Sequence, residues 1–235
     1  MRFNEENKYL FRMIEWDKKK VLKYISIRNR NFTLILKSFS FLGKHPFWIL
    51  LIAFYFFIWY NSVLFSYIGV TILNGLWINM LIKKIVNRSR PYEQMEDVNV
   101  LESLPSSKSF PSWHAYTASS QWLVICFIFL DPILFLVLFI FSILISFSRI
   151  YLGVHYPSDV IFGYLAGLLG GLTTMFFFGP LCLHAIQSLE EIAFYEIAID
   201  QFNPLLAEFW YFLICVSIYG ILIYFTIVRT LKKGK

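Results

Sequence analysis

The sequence predicts an all-α integral-membrane protein: a six-span transmembrane helical bundle preceded by an amphipathic helix in the membrane interface. Three observations carry that expectation. Of the 235 residues, 58% are apolar and only 15% charged, against about 45–50% and about 25% in soluble domains. Apolar stretches near span length recur along the chain, separated by short polar breaks. The positive charges are segregated to one set of loops. Aromatic residues make up 20% of the chain, more than a soluble sphere of this size can bury. The same figures exclude a disordered chain, a disulfide scaffold and a coiled coil.

The elements follow in order. Residues 1–44 carry eleven Lys/Arg interleaved with apolar side chains. Leu10, Ile14, Val21, Tyr24 and Ile25 recur at helical spacing, so residues 1–38 read as a basic interfacial segment, in preference to a solvated tail. The transmembrane domain is expected over 39–235. No Lys or Arg occurs between Lys44 and Lys83. That window holds two spans, about 39–60 and 62–82, broken near Asn61–Ser62. A polar segment follows over 83–113, then spans at 114–130 and 132–150 separated by Asp131–Pro132. A link containing His155 leads into a span at 158–180, whose Gly163, Gly167, Gly170 and Gly171 suit close helix contact. An acidic amphipathic loop over 181–205, with Glu190, Glu191, Glu196 and Asp200, precedes the last span at 206–228.

Six spans place both termini, the 83–113 segment and the 150–157 link on one side. All 21 Lys/Arg lie there or at its edge, which predicts that side to be cytoplasmic. The net charge of +6 is therefore topological in large part, and no basic-aromatic module accompanies it to suggest nucleic acid. Cys126, Cys182 and Cys215 lie in or beside apolar runs without metal-site spacing and read as small hydrophobes. No cofactor is expected, and the oligomeric state is left open.

Three polar clusters meet at the basic face: Lys83 with Arg90-Pro91, Pro111-Ser112-Trp113-His114, and Ser148-Arg149 with His155 and Asp159. Lys83 or Arg90 alone would read as interfacial snorkelling. Together, ionisable groups at helix ends facing one loop are functional candidates. The physics favours a phosphoryl site. Ser112 stands where it can cap the helix beginning near His114, whose free N–H groups attract an anion. Lys83, Arg90 and Arg149 can neutralise phosphoryl oxygens. His155 and Asp159, at i and i+4, share a helix face. A carboxylate on one imidazole nitrogen leaves the other free as base or nucleophile, and His114 can protonate the leaving oxygen. No carboxylate cluster of metal-ligand type is present.

These residues resemble the signature of the type 2 phosphatidic acid phosphatase (PAP2) family, related to vanadium haloperoxidases: K-x6-R-P, P-S-G-H and S-R-x5-H-x3-D. All spacings fit over residues 83–159. The resemblance implies a membrane lipid phosphatase using a phosphohistidine. His155 is then the nucleophile, oriented by Asp159, and His114 the general acid. Lys83, Arg90, Ser112, Arg149 and the Trp113 backbone N–H bind the phosphate, with no metal. Trp113 departs from the family's glycine. If that position supplies only its N–H, the side chain is tolerated and the indole lines the lipid entrance; if it needs φ > 0, activity is lost. The expected partners are the lipid phosphate substrate and membrane lipids. Glu15-Trp16-Asp17, Gly43-Lys-His-Pro-Phe-Trp48 and Arg90-Pro91…Gln94-Met95 look like the polyisoprenoid diphosphate phosphatase branch, which implies a prenyl diphosphate without excluding phosphatidate or phosphatidylglycerol phosphate. The alternative is a catalytically impaired protein that binds or flips lipid phosphates.

Overall fold

The computed structural model describes residues 5–192 and 201–232, and its architecture is a helical bundle. Helix α1 spans Glu5–Ser26, α2 Arg30–Leu42, α3 His45–Ala53, α4 Ser62–Val86 and the single turn α5 Pro91–Gln94. Then come α6 Trp113–Phe129, α7 Pro132–Tyr151, α8 Pro157–Thr173, α9 Gly179–Ile192 and α10 Phe209–Lys232. The only strands among the described residues are two-residue pieces, β1 (Trp59–Tyr60) and β2 (Gln201–Phe202), paired antiparallel. Glu196 and Asp200 of the expected acidic loop lie outside the described residues.

Local chemistry sets the boundaries. The side chains of Asn29, Asn61 and Asp131 cap α2, α4 and α7 by accepting from the N–H of Phe32 (2.9 Å), Leu64 (2.7 Å) and Leu134 (2.8 Å), each satisfying an orphan donor. Proline stands in the first turn of α3, α7 and α8, where its missing N–H costs nothing. Asn87 and Leu130 end α4 and α6 in the left-handed conformation.

Among the described residues, three helical stretches are long and apolar enough to cross a membrane: Ser62–Gln94, Pro132–Tyr151 and Pro157–Ile192. A fourth is counted if α2 and the His45–Ile58 stretch, bent by 49°, form one broken span. The first apolar segment therefore runs from Arg30 with an elbow at Gly43-Lys44, so the expected boundary at residue 38 falls inside α2. The other two expected spans coincide with α6, which has 17 residues, and with the Phe209–Tyr224 stretch. The expected loop beginning at 181 is helical as far as Ile192. Pro180, just before that expected loop, sits in the first turn of α9, where proline is tolerated. Through a π-helical turn at Thr174–Phe178, α8 and α9 run on as one stretch of 36 residues. The outer face of α7 exposes Ile133, Phe135, Leu136, Val137 and Ile140 together, as a lipid-facing surface does and a soluble one rarely does. The chain is a multi-pass integral membrane protein.

Helix α6 is the centre of the bundle, packed mainly on α8 and then on α7 and α4. Small residues permit the α6–α8 approach. A Cβ on Gly163 would stand 2.5 Å from the Ser112 carbonyl oxygen, and one on Gly167 would stand 2.3 Å from that of Tyr116. Dispersion between closely approaching backbones, rather than apolar burial, drives helix association in lipid. Around α6 lie apolar clusters such as Trp48, Leu64, Ile68, Ile72 and Trp113. The N-terminal α1 packs on α7 and α8, with Asp17 and Val21 both fully buried.

Gly167→Ala should therefore destabilise the bundle by about 1–3 kcal/mol through overpacking, lowering the melting temperature in detergent. Gly69→Ala, where a Cβ meets nothing within 4 Å, serves as the neutral comparison; equal melting temperatures for the two variants would refute this account of the α6–α8 contact.

Candidate active site

At one end of the bundle, the start of α6, the end of α7, the α7–α8 link and the 83–113 segment enclose a cavity of about 360 Å³. Lys83, Arg90, Trp113, His114, Arg149 and His155 all line it. Ser112 and Asp159 lie behind this wall, both fully buried. The fold thus brings all eight expected residues to one place. Three further residues join the wall: Lys44 and His45, from the Gly43-Lys-His-Pro-Phe-Trp48 run, and Glu102, which carried no motif.

The cations are held by main-chain oxygens. Lys83 Nζ donates to the carbonyls of Lys108 (2.6 Å) and Pro111 (2.8 Å). Arg90 donates through Nε to the Ser107 carbonyl and through Nη1 to that of Val154, both at 2.7 Å. Arg90 Nη1 also stands 3.2 Å from His155 Nε2. A guanidinium has no acceptor, so Nε2 is the acceptor and the imidazole proton resides on Nδ1. That nitrogen faces Asp159 Oδ2 at 3.5 Å, longer than a normal hydrogen bond. Burial, then Arg90, Lys83 and Arg149, push the His155 pKa well below its ordinary 6.5. The ring is neutral at physiological pH, with its lone pair on the nitrogen nearest the guanidinium.

Asp159 opens α8 and is multiply anchored. Its Oδ2 accepts from Ser109 Oγ (2.5 Å) and the Tyr156 N–H (2.9 Å), while Oδ1 accepts from Arg88 Nη1 (2.7 Å). Its own carbonyl accepts from the Ser112 N–H at 2.9 Å, tying the start of α8 to the start of α6.

Ser112 occupies the N-cap position of α6, but its hydroxyl makes no capping hydrogen bond. The Oγ is buried without a partner, as are His114 Nε2 and Arg149 Nε. Such orphaned groups beside an anion-sized cavity suit an absent ligand. Trp113 begins α6 and is not among the residues with positive φ, so the position imposes no glycine-only conformation. Its indole stacks on His45, centroids 4.0 Å apart.

Arg149 departs most from expectation. Its Nη1 already donates to Glu102 Oε2 and Ser40 Oγ, both at 2.5 Å, and Glu102 Oε1 pairs with Lys44 Nζ at 2.8 Å. Burial raises the Glu102 pKa, but Arg149, His114 and Lys44 more than offset this and hold the carboxyl well below its ordinary 4.5. Sequence reasoning missed Glu102, Ser40, Ser109 and Arg88, and named Lys44 and Asp17 only within runs resembling the polyisoprenoid diphosphate phosphatase branch, with no role at the site. Asp17 carried a further signal: it falls in the apolar stripe of α1, three residues after Ile14 and four before Val21. Among the described residues, no group of three His, Cys, Asp or Glu is arranged to hold a metal ion.

The family model described as the PAP2 superfamily matches residues 59–181. An undecaprenyl-diphosphatase of Sulfolobus acidocaldarius is 32% identical over 105 residues, 43% of this chain and 50% of that protein. The undecaprenyl-diphosphatase BcrC of Bacillus subtilis is 37% identical over 95 residues, covering 40% and 48%. The chain thus spans about half the length of the curated relatives it matches. The crystal structure of Aquifex aeolicus LpxE superposes with a TM-score of 0.61 at 25% identity, covering 68% of this chain and 94% of that one.

The Glu102 cluster has a pH signature. Its folded pKa lies below the unfolded value, so the unfolded chain binds the extra proton. The stabilisation is complete above about pH 4.5 and is lost as pH falls further. Thermal unfolding in detergent should show a melting temperature that declines on acidification below that point, and Glu102→Gln should flatten the decline; parallel curves would contradict the assignment.

Proposed function

This chain belongs to the PAP2 superfamily, and on that premise we propose that it is a membrane lipid phosphatase that cleaves a lipid phosphate or diphosphate through a phosphohistidine. The observation that carries the reading is His155: neutral, with its Nε2 lone pair toward Arg90 in a wall of cations. In the proposed step, Nε2 bonds to phosphorus as the bond from phosphorus to the leaving oxygen breaks. His114 gives that oxygen its proton. Asp159 faces the positive charge that develops on the imidazole. Lys83, Arg90, Arg149, Ser112 and the Trp113 N–H take the equatorial oxygens. Water, deprotonated by His114, then attacks the phosphohistidine and releases phosphate. Arg149 joins only when the incoming phosphoryl group, with more charge than a carboxylate, displaces Glu102. No metal has a part in these steps.

Among substrates we place a polyisoprenoid diphosphate first. Glu102 bridges Arg149 and Lys44 with its two oxygens, so one small anion reaches both cations. A diphosphate can thus rest its transferring phosphoryl on Arg149 and its other on Lys44. The names of both undecaprenyl-diphosphatase relatives agree. Phosphatidate and phosphatidylglycerol phosphate are the monoester alternatives. Trp113, which stands where the family has glycine, argues against the impaired binder because it takes an ordinary helical conformation there.

We also read six spans, with 39–235 as the phosphatase unit and α1 at the interface. Helix α1 exposes Tyr9, Phe11, Trp16 and Leu22 on a chain segment rich in lysine. The Lys/Arg bias supports a site on the cytoplasmic face.

His155→Ala should abolish phosphate release in detergent while leaving the melting temperature unchanged; retained turnover would overturn the mechanism, and strong inhibition by chelator would overturn its metal independence. A panel of farnesyl, geranylgeranyl and undecaprenyl diphosphate beside phosphatidate and phosphatidylglycerol phosphate tests the substrate. Lys44→Ala is expected to raise KM about tenfold for diphosphates and little for monophosphates, and an equal effect on both would remove Lys44 from the recognition. For orientation, Ser106→Cys, on the exposed part of the 83–113 segment, is expected to be protected in intact cells from a membrane-impermeant maleimide and to react after permeabilisation.

A further inference from the structure

The anchoring of Asp159 extends to the N-terminal helix, outside the matched 59–181 region. Arg88 bridges two carboxylates: Nη1 lies 2.7 Å from Asp159 Oδ1, and Nη2 lies 2.7 Å from Asp17 Oδ2. Asp17, carried in on α1, also grips the first turn of α8. Its Oδ1 accepts from the Ser158 N–H at 2.9 Å and its Oδ2 from Ser158 Oγ at 2.5 Å. Arg88 Nη1 completes the ring by donating to Ser158 Oγ at 2.7 Å. Both carboxylates are fully buried, and the guanidinium side chain is 17% exposed. The Tyr156 ring covers Arg88, its centroid 4.1 Å from the guanidinium carbon.

We propose that Asp17 and Arg88 are positioning residues for phosphoryl transfer, making α1 a working part of the site. Two consequences follow from the geometry. Arg88 holds Asp159 by its far oxygen, leaving Oδ2 turned toward His155 Nδ1. Asp17 also divides the charge of Arg88 between two carboxylates, so that the buried trio carries a net charge of −1. As Nε2 bonds to phosphorus, the imidazole becomes cationic and its Nδ1–H faces that negative charge. With Asp17 neutral, Arg88 and Asp159 would close into a neutral pair, and the developing cation would lose its counter-charge. The ground state, with a neutral imidazole, gains little from the trio. The effect therefore belongs in kcat and leaves KM nearly unchanged.

This inference rests on the proposed phosphohistidine chemistry, and the test separates the two. Full-length protein in detergent is assayed on geranylgeranyl diphosphate and phosphatidate, using whichever is turned over, with the folded fraction measured by thermal unfolding and the labelled phosphoenzyme by rapid quench. Asp17→Asn is expected to lower kcat and the rate of phosphoenzyme formation about 10- to 100-fold, the scale of losing an outer partner of a functional imidazole. KM stays within about twofold, and Asp17→Glu recovers part of the loss. Arg88→Lys keeps the charge but cannot span both carboxylates with a planar fork. It should show a similar loss, and it is the deciding variant if Asp17→Asn fails to fold. Combining Asp17→Asn with Arg88→Lys should cost little more than either alone, because both act through one bridge. Wild-type kcat per folded molecule in the deciding variant, or losses that multiply in the pair, would overturn the proposal. Should His155→Ala retain turnover, the phosphohistidine reading itself falls; should it be inactive while Asp17→Asn is fully active, only the positioning role falls.

Discussion

Four cations, Lys44, Lys83, Arg90 and Arg149, line one small cavity, and the arrangement of this end of the bundle depends on how their mutual repulsion is met. Two unit charges 4 Å apart at an effective dielectric constant near 20 repel by about 4 kcal/mol. The compensation comes from opposite sides. Glu102 pairs with Arg149 and Lys44 at the rim, while Asp159 lies behind His155. Lys83 and Arg90 instead draw carbonyl oxygens of Ser107, Lys108, Pro111 and Val154 around themselves. The long polar segment between α4 and α6 is thus held in place by the cations that it covers. This makes the segment and the cavity interdependent: a neutral substitution at Arg90 would loosen four carbonyl and hydroxyl contacts as well as remove a charge.

The packing of the bundle reaches the same place by another route. Polar side chains inside α6 find acceptors close by: Ser119 Oγ has the Ala115 and Tyr116 carbonyls of its own helix and the Tyr164 carbonyl within reach of its one proton, and Thr117 Oγ1 has those of Trp113 and His114. The Tyr164 contact crosses to α8, where the glycine face lets the two backbones meet. At the upper end of the same contact, the Ser112 N–H donates to the Asp159 carbonyl. Close packing therefore registers the helix bearing His114 against the helix bearing Asp159. A pair of loops would set that register less firmly.

Much of this was legible in the sequence, and what was not has identifiable causes. The three motifs predicted the residues that line or back the cavity, because the chemistry fixes their spacing within single elements. The apolar stretches placed α4 and α7 within a few residues and the start of α8 within one. Glu102 was invisible because an irregular segment has no periodicity from which to read a facing side chain. Arg88 was hidden inside a motif as an unspecified position, and Ser109 by the folding of the segment onto α8. Asp17 was different: its place among Ile14, Val21 and Tyr24 marked an acid on a buried stripe, but no local rule says what it meets, since Arg88 lies 71 positions away. The Gly43-Lys-His-Pro-Phe-Trp48 run reads as a turn, but an apolar-run reading begins the span near Phe39 and does not carry it back through that bend to Arg30, because hydropathy averages over a bend. The helical course of 181–192 escaped it because acidic, amphipathic composition was read as loop.

The continuous helix from Pro157 to Ile192 has a consequence of length. Thirty-six residues at 1.5 Å each extend about 54 Å, whereas the hydrocarbon layer is about 30 Å thick. The stretch is therefore longer than that layer is thick, and its far end lies away from His155. There Glu190 accepts a hydrogen bond from Tyr60, just beyond the end of the π-helical turn that follows α3. The element whose first turn carries Asp159 is thus also braced at its far end by a hydrogen bond to the chain between α3 and α4. The path from that contact to the carboxylate facing the imidazole thus runs along a single helical stretch, relieved only by the π-helical turn at Thr174–Phe178.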